Sequence, residues 1–351
     1  MPPRVSVLTA VRNSLPFLNA AIESILAQTL GDFEYLVVDD ASTDDSWSAI
    51  QQLAGTDSRI NPIRNPRQLG AAESLNVALR QARGEYVAIL DADDLALPER
   101  LKRQAAFLDR HPDYVAIGSA VRLIDATGAT LRYETYPTHP ASARWNLLFG
   151  ASLQHSASLY RRELLLGVGG YSRQHGYLCD YELLTRLVDH GKLGNLPDVL
   201  ACYRRHDGQT SAEHKRPQTG QMLLLQYALQ RLWLGLSPDL ATFSLLRSWT
   251  FGHSPRDATS AMAAIEAMNT LHRSYLELAP QLSMDDRVAI GHSCARRWAR
   301  MAHAAYRLHP VLSRVCWRKA LELDPAWTGR FQARRWLRAR TRAYQKIPLA
   351  R

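Results

Sequence analysis

At 351 residues, the chain has room for one large domain or two moderate ones. Its 46% hydrophobic and 22% charged content excludes a wholly disordered, collagen-like or heptad-repeat protein. The net charge of +10 is uneven: residues 1–214 carry 21 basic against 25 acidic side chains, residues 215–351 carry 22 against 8, and residues 287–351 carry 16 against 2. The expected partner of that tail is therefore anionic. No apolar run approaches the ~18 residues of a membrane span, and Met1-Pro2-Pro3-Arg4 leads straight into a strand-like segment rather than a signal-type apolar stretch. Cys179, Cys202, Cys294 and Cys316 form no C-x-x-C pair and are too sparse for a disulfide framework. A reducing, cytosolic setting is expected.

In chain order, residues 4–9 read as a strand, followed by a helix over 16–29 with Leu18, Ile22, Ile25 and Leu26 on one face. A strand at 33–38, a helix at 44–53, a strand at 60–64, a helix at 70–82 and a strand at 86–90 continue the alternation. That is the pattern of β-α-β units on a parallel sheet. Pro98 opens a helix to Arg110. Residues 114–205 mix short strands (115–118, 157–160, 199–203) with helices (141–149, 178–189). Beyond His214 the strand signals stop, and helices broken near Pro238, Pro255, Pro280, Pro310 and Pro325 follow. The expected domains are an α/β domain over 1–214 and an α-helical extension, rich in Arg and Trp, over 215–351. Residues 316–325 resemble half of a tetratricopeptide unit, but one helix is not a repeat array.

Two acidic clusters end two buried strands: Asp39-Asp40 after Leu36-Val37-Val38, and Asp91-Ala92-Asp93-Asp94 after Val87-Ala88-Ile89-Leu90. Parallel strands joined by right-handed crossovers bring their carboxyl ends to one edge, where open α/β sheets hold ligands. Crowded carboxylates there suit Mg²⁺ or Mn²⁺, hard cations that also bind substrate phosphates. Asp44 and Asp45 read as ordinary helix caps. A P-loop and a dinucleotide-binding glycine pattern are both missing: Gly167-Val168-Gly169-Gly170 lacks the last glycine and the preceding strand.

These residues resemble the family 2 glycosyltransferases, inverting enzymes with the GT-A fold, a Rossmann-like nucleotide-diphospho-sugar transferase architecture. The resemblance runs from Val5 to about Ser211. It rests on an ordered set: residues 5–13 (VSVLTAVRN), 37–44 (VVDDASTD), Gly84-Glu85-Tyr86 leading to Leu90-Asp91-Ala92-Asp93-Asp94 and Leu97-Pro98-Glu99-Arg100-Leu101, then Val168-Gly169-Gly170-Tyr171 and Asp180-Tyr181-Glu182-Leu183. It implies that Ala10 and Val11, in the loop after the first strand, and Asp40 hold the base and ribose of a nucleotide-sugar donor. Asp91-Ala92-Asp93 matches the D-x-D motif, with Asp93 the direct metal ligand and Asp91 nearer the ribose or a metal-bound water. Asp180 falls on the catalytic base, which takes a proton from the acceptor hydroxyl as it attacks the anomeric carbon. The family usually has Glu before the base; Cys179 here removes that like charge, a change toward a lower pKa. Tyr203-Arg204-Arg205-His206 resembles a late loop near the donor diphosphate, where Arg204 and His206 would contact phosphate or metal. His155 reads as a buried, hydrogen-bonded structural histidine.

The implied activity is metal-dependent transfer from a nucleotide-diphospho-sugar to a glycan or lipid-linked acceptor, in cell-surface polysaccharide, lipopolysaccharide or glycolipid synthesis. Two rivals were weighed. A sugar nucleotidyltransferase needs a glycine-rich loop after the first strand, which Thr9-Ala10-Val11-Arg12-Asn13 lacks. A catalytically silent scaffold would bind glycolipid or nucleic acid through the tail. The interleaved residues Arg296, Arg297, Trp298, Arg300, Arg314, Trp317, Arg318, Arg334, Arg335, Trp336, Arg338, Arg340 and Arg342 suit an anionic membrane surface, with the protein peripheral at the inner face; nucleic acid is not the expected partner. Gln332-Ala333-Arg334-Arg335-Trp336 spells Q-x-x-R-W, a signature of processive synthases, and is attributed to chance in so Arg- and Trp-rich a tail.

Overall fold

The computed structural model describes residues 2–209, 215–255, 257–277 and 281–325. The chain divides into two compact units between Gln226 and Tyr227, a point inside helix α8 (Lys215–Leu234) instead of at the 214/215 boundary. The basic residues at 334–342 and the Q-x-x-R-W stretch lie outside the described residues.

The first unit is built on β1 (Val5–Val11), β2 (Phe33–Asp39), β3 (Ile60–Arg64) and β4 (Tyr86–Ile89), alternating with α1 (Leu15–Leu26), α2 (Ser46–Ala54) and α3 (Ala71–Gln81). There follow β5 (Leu95–Ala96), α4 (Arg100–Arg110), β6 (Tyr114–Ile124), β7 (Thr130–Glu134), α5 (Pro140–Asn146), a 3-10 turn at His155–Ala157, β8 (Leu159–Arg161), α6 (Arg162–Gly167), a second 3-10 segment at Arg173–Leu178, α7 (Cys179–Leu187) and β9 (Lys192–Arg204). The sheet runs in the order β3-β2-β1-β4-β8-β6-β9-β5, with β7 on β6. β1 is parallel to both β2 and β4, and β2 to β3. The order therefore reverses at β1, the switch point at which doubly wound sheets open a crevice beyond their carboxyl ends.

Burial explains the local choices. β2 is buried along its whole length, as a strand covered on both faces must be, which is why it reads as mostly apolar; its one interior charge, Glu34, accepts from Ser6 Oγ and the Arg83 N–H. α1 places Pro16 in its first turn and turns Leu18, Ala21, Ile22 and Ile25 inward, a stripe at helical period. Between α3 and β4 the backbone of Gly84 passes so close to β1 that a Cβ would meet Ser6 N at 2.5 Å and Val5 C at 2.8 Å. The Gly84 N–H also donates to Ser6 Oγ. Gly84→Ala is expected to lower unfolding stability by about 1–3 kcal/mol, the usual scale of overpacking, as read from a urea denaturation midpoint.

The second unit contains α9 (Leu240–Thr250), α10 (Ala258–Glu277), α11 (Met284–Ala305) and α12 (Pro310–Leu323). α11 opens with a capping box, Ser283 and Asp286 bonding each other's backbone N–H. Pro310 starts α12 at its first turn where a break was expected, because proline has no N–H to lose there. The described tryptophans turn inward: Trp298 is 1% exposed and Trp249 fully buried, its indole N–H donating to the Met301 carbonyl. Arg297 is 6% exposed, so Arg297 and Trp298 belong to the helical core and not to a surface patch. No helix among the described residues is long and apolar enough to cross a membrane.

Candidate active site

The acidic cluster after β4 is a tight turn, closed by the Asp94 N–H on the Asp91 carbonyl at 3.2 Å and held by the Asp91 N–H on Ser156 Oγ at 2.8 Å. The turn sorts its carboxyls by surroundings. Asp94 is fully buried; burial, with the neighbouring Asp93 and Asp91 charges, pushes its carboxyl well above the usual range. Asp93 points its Oδ2 at His206 Nε2, 2.9 Å away. Burial and the Asp91 charge raise its pKa, and His206 opposes them. Asp91 is the open one, with 42% of its side chain exposed. Ala92 packs into the core beneath the turn and presents no polar group to a ligand.

Beneath the turn lies a charge the motif reading did not use. Arg100 is fully buried, and its Nη2 donates to the carbonyls of Ile89 (2.7 Å) and Ser158 (3.0 Å). Burial pulls its pKa down to about 10 against the pull of Asp94 and Asp91, which leaves it charged at neutral pH. An internal cation thus backs the acidic turn.

The end of β9 forms the facing wall. The Arg204 N–H donates to Asp94 Oδ1 at 2.7 Å, its Nε to the Asp93 carbonyl at 2.8 Å, and its Nη1 to the carbonyls of Asp125 and Ala126, both at 3.2 Å. The Arg204 guanidinium lies 4.7 Å over the Phe17 ring, and the His206 ring tilts against the same Phe17 at 4.6 Å. Arg204 is 6% exposed and braces the acidic turn, while His206 presents its nitrogen to Asp93. Phe17, at the start of α1, carries no signal in the sequence that separates it from a core aromatic.

Ala10 and Val11 are the last two residues of β1 itself, paired with Val38 and Asp39, and not a loop. Val11 is buried and Ala10 half-buried, so what this edge offers a ligand is backbone and a methyl group. Asp40 is 3% exposed. Its Oδ1 accepts from Asn65 Nδ2 (2.8 Å) and the Leu69 N–H (2.7 Å), and its Oδ2 from the Gly70 N–H (2.8 Å). Arg12 Nη1 donates to the carbonyls of Asp40 and Ala41, and Ala41 sits at φ 55°, a left-handed conformation uncommon for a residue with a Cβ. Asp40 therefore anchors the 65–70 loop to the end of β2. Asp40→Ala removes the acceptor of buried Asn65 and of the half-buried Leu69 and Gly70 N–H groups and is expected to cost about 1–3 kcal/mol of stability, measured by denaturant unfolding without ligand; a residue serving the donor alone would leave that midpoint unmoved.

Asp180 stands in the first turn of α7. Burial raises its pKa, opposed chiefly by His155. With Cys179 in place of Glu that neighbour adds no like charge, since burial pushes the Cys179 thiol up and keeps it neutral; it is burial that sets the direction at Asp180. His155 is largely buried and hydrogen-bonded, as expected, and its partners belong to the site. Its Nδ1 lies 3.4 Å from Asp91 Oδ1 and its Nε2 3.1 Å from the Tyr171 hydroxyl. Burial pulls its pKa down, and the Asp91 and Asp180 carboxylates more than offset that, so the net shift is upward.

Among the described residues no three His, Cys, Asp or Glu side chains form a closed metal cage. The donors present still fit a divalent cation of the Mg²⁺ or Mn²⁺ kind, which takes one or two carboxylates and completes its shell with water and substrate phosphate. Asp93 with His206 facing it, and Asp91 open beside it, supply such a partial set.

A strand order reversing at β1, with an acidic turn beyond β4, defines a nucleotide-binding α/β domain. The chain matches the family described as Glycosyl transferase family 2 over residues 6–168. It is 31% identical over 239 residues to the putative glycosyltransferase EpsE of Bacillus subtilis, covering 67% of this chain and 85% of that one. It is 29% identical over 211 residues to the UDP-Glc:alpha-D-GlcNAc-diphosphoundecaprenol beta-1,3-glucosyltransferase WfaP of Escherichia coli, covering 59% and 80%. In structure it is similar to the mannosyltransferase PcManGT of Pyrobaculum calidifontis, solved with GDP-Man and Mn²⁺, at TM-score 0.52 and 21% identity over 91% of this chain and 88% of that one. The chain belongs to glycosyltransferase family 2 and has the GT-A fold with a C-terminal helical extension.

Proposed function

We propose that the protein is a metal-dependent, inverting glycosyltransferase that moves a sugar from a nucleotide-diphospho-sugar to an acceptor hydroxyl in the assembly of a surface polysaccharide or lipid-linked glycan. The observation that carries the reading is the set of groups around the acidic turn: Asp91 lies 3.4 Å from the His155 ring, His206 faces Asp93, and Asp180 lies within electrostatic reach of the same imidazole. Asp93 and His206 hold the cation, with Asp91 beside them. When bound, that ion neutralises charge developing on the departing diphosphate. Asp180, its pKa raised toward neutrality, accepts the proton of the acceptor hydroxyl. Displacement by a hydroxyl activated on the side away from the diphosphate inverts the anomeric centre. The chemistry named for WfaP, a glucosyl transfer to a lipid diphosphate sugar, supports the acceptor class, and the Mn²⁺ of PcManGT supports the cation.

The test is a thermal-shift screen with UDP-, GDP- and dTDP-linked sugars, with and without Mn²⁺, and a CMP-linked sugar as a control without a diphosphate. One diphospho donor at a hundredfold its Kd should add about 2.7 kcal/mol of apparent stability, dependent on Mn²⁺. A screen in which none shifts the transition, or in which Mn²⁺ has no influence, overturns the proposal.

A further inference from the structure

His155 is tied into the site from both of its nitrogens, and the element that ties it is itself rigidly held. Asn76 of α3 clamps Tyr171 twice, its Nδ2 donating to the Tyr171 carbonyl and its Oδ1 accepting the Tyr171 N–H, both at 2.8 Å. Gly170 lies at φ 66°, and a Cβ there would meet Asn76 Oδ1 at 2.5 Å, so the glycine before Tyr171 is what lets Asn76 come in. Arg186 of α7 donates to the Gly170 carbonyl at 2.7 Å and pairs with Glu182, joining the same segment to the helix that carries Asp180. Buried Glu73 holds Arg173 at 2.6 Å just beyond. Tyr171 is 2% exposed, and its ring meets His155 edge-on at 5.6 Å.

We propose that His155 is a positioning residue of sugar transfer: aligned by the Tyr171 hydroxyl, its imidazole holds the Asp91 carboxylate and so sets the donor end of the site. Nδ1, the nitrogen that faces Asp91, carries a proton both when the Tyr171 hydroxyl donates to Nε2 of the neutral ring and when the imidazolium donates to the hydroxyl. Carboxylates oriented in this way by a neighbouring imidazole keep their geometry for a cation, and losing the orienting group typically costs about 10–100-fold in affinity or activity. The inference rests on the proposed function, because it takes Asp91 as part of the donor site and Asp180 as the base.

Three full-length variants test it: His155→Leu, His155→Asn, whose amide nitrogen replaces Nδ1, and Tyr171→Phe, which removes the hydroxyl alone. Binding of UDP and GDP in the presence of MnCl₂ is measured by titration calorimetry, alongside kcat and donor KM. For the nucleotide that the wild type binds, His155→Leu is expected to weaken binding and raise donor KM about 10-fold or more, with a smaller loss in Tyr171→Phe and substantial recovery in His155→Asn. Asp93→Asn and Asp180→Asn serve as references. If both references lose transfer while His155→Leu and Tyr171→Phe bind and turn over as wild type, the positioning role is overturned and the proposed function stands. If Tyr171→Phe melts at the wild-type temperature yet leaves nucleotide binding and donor KM unmoved, the alignment through Tyr171 is overturned. If the references themselves remain active, the functional reading fails first.

Discussion

Asp93→Asn is expected to reduce kcat/KM for sugar transfer by about a thousandfold, equivalent to roughly 4 kcal/mol of lost transition-state stabilisation. The substitution keeps the shape of the side chain and a partner for His206, now 2.9 Å from Oδ2, so the turn should fold unchanged. What it removes is the charge proposed to hold the cation against the leaving diphosphate. Initial rates across a Mn²⁺ titration check the assignment: the variant should need far more Mn²⁺ and remain slow at saturation. Wild-type rates at ordinary Mn²⁺ would show that Asp93 is not a ligand.

Asp180→Asn is expected to lower kcat by about 10²–10⁴-fold, the range a positioned base contributes, while nucleotide binding stays at wild-type strength. The split separates the two ends of the site, since Asp93→Asn should damage binding as well. The pH profile carries its own sign. The base works deprotonated, and burial raises its pKa above the usual carboxylate range. The kcat of the wild type should therefore fall as pH drops through that raised value, with its acid limb displaced upward from the ~4 of a solvated aspartate. A profile flat down to pH 4, or an Asp180→Asn enzyme with normal kcat, removes Asp180 from the proton transfer.

Much of the first unit is legible in the sequence because its central strands are covered on both faces. Val37-Val38 and Val87 to Leu90 are uninterrupted apolar runs that stop abruptly at aspartates, and a buried parallel strand leaves few other patterns. The far side of the sheet is another matter. β9 spans Lys192–Arg204 but contains Gly194, Asn195 and Pro197, residues that argue for a loop. Gly194 and Asn195 pair regularly with Ile117 and Gly118, while Pro197 falls at a register shift, where Ser119 pairs with Leu196 but Ala120 pairs with Val199. An irregularity of this kind takes extra residues without ending the strand. β7 is exposed over nearly its whole length, so no buried face announces it.

The site divides in the same way. The acidic turn, Asp180 and His206 stand out as polar residues in motifs. Phe17 does not, because an aromatic near the start of an amphipathic helix has an ordinary reading, and Arg100 lies in a motif that gives no sign that its charge is buried under the acidic turn. For His155 the burial and hydrogen bonding are legible but the partners are not: Gln154-His155-Ser156-Ala157 has no period that says which neighbours the ring meets, and Tyr171 reaches it only through the fold. Asp40 shows the reverse, a motif aspartate whose carboxylate is taken up by Asn65, Leu69 and Gly70.

The short strand β5 pairs with β9 through Leu95 with Cys202 and Ala96 with Ala201, and the Arg204 N–H reaches Asp94 across 110 residues of chain. Everything threaded between those two points, including the exposed β7 hairpin, begins and ends at a staple. Changes confined to the exposed strand β7, which pairs with β6 off the main path of the sheet, are expected to leave the acidic turn and the residues that brace it where they are. A lineage with this architecture is free to diversify what it decorates while inheriting unaltered the means of activating what it delivers.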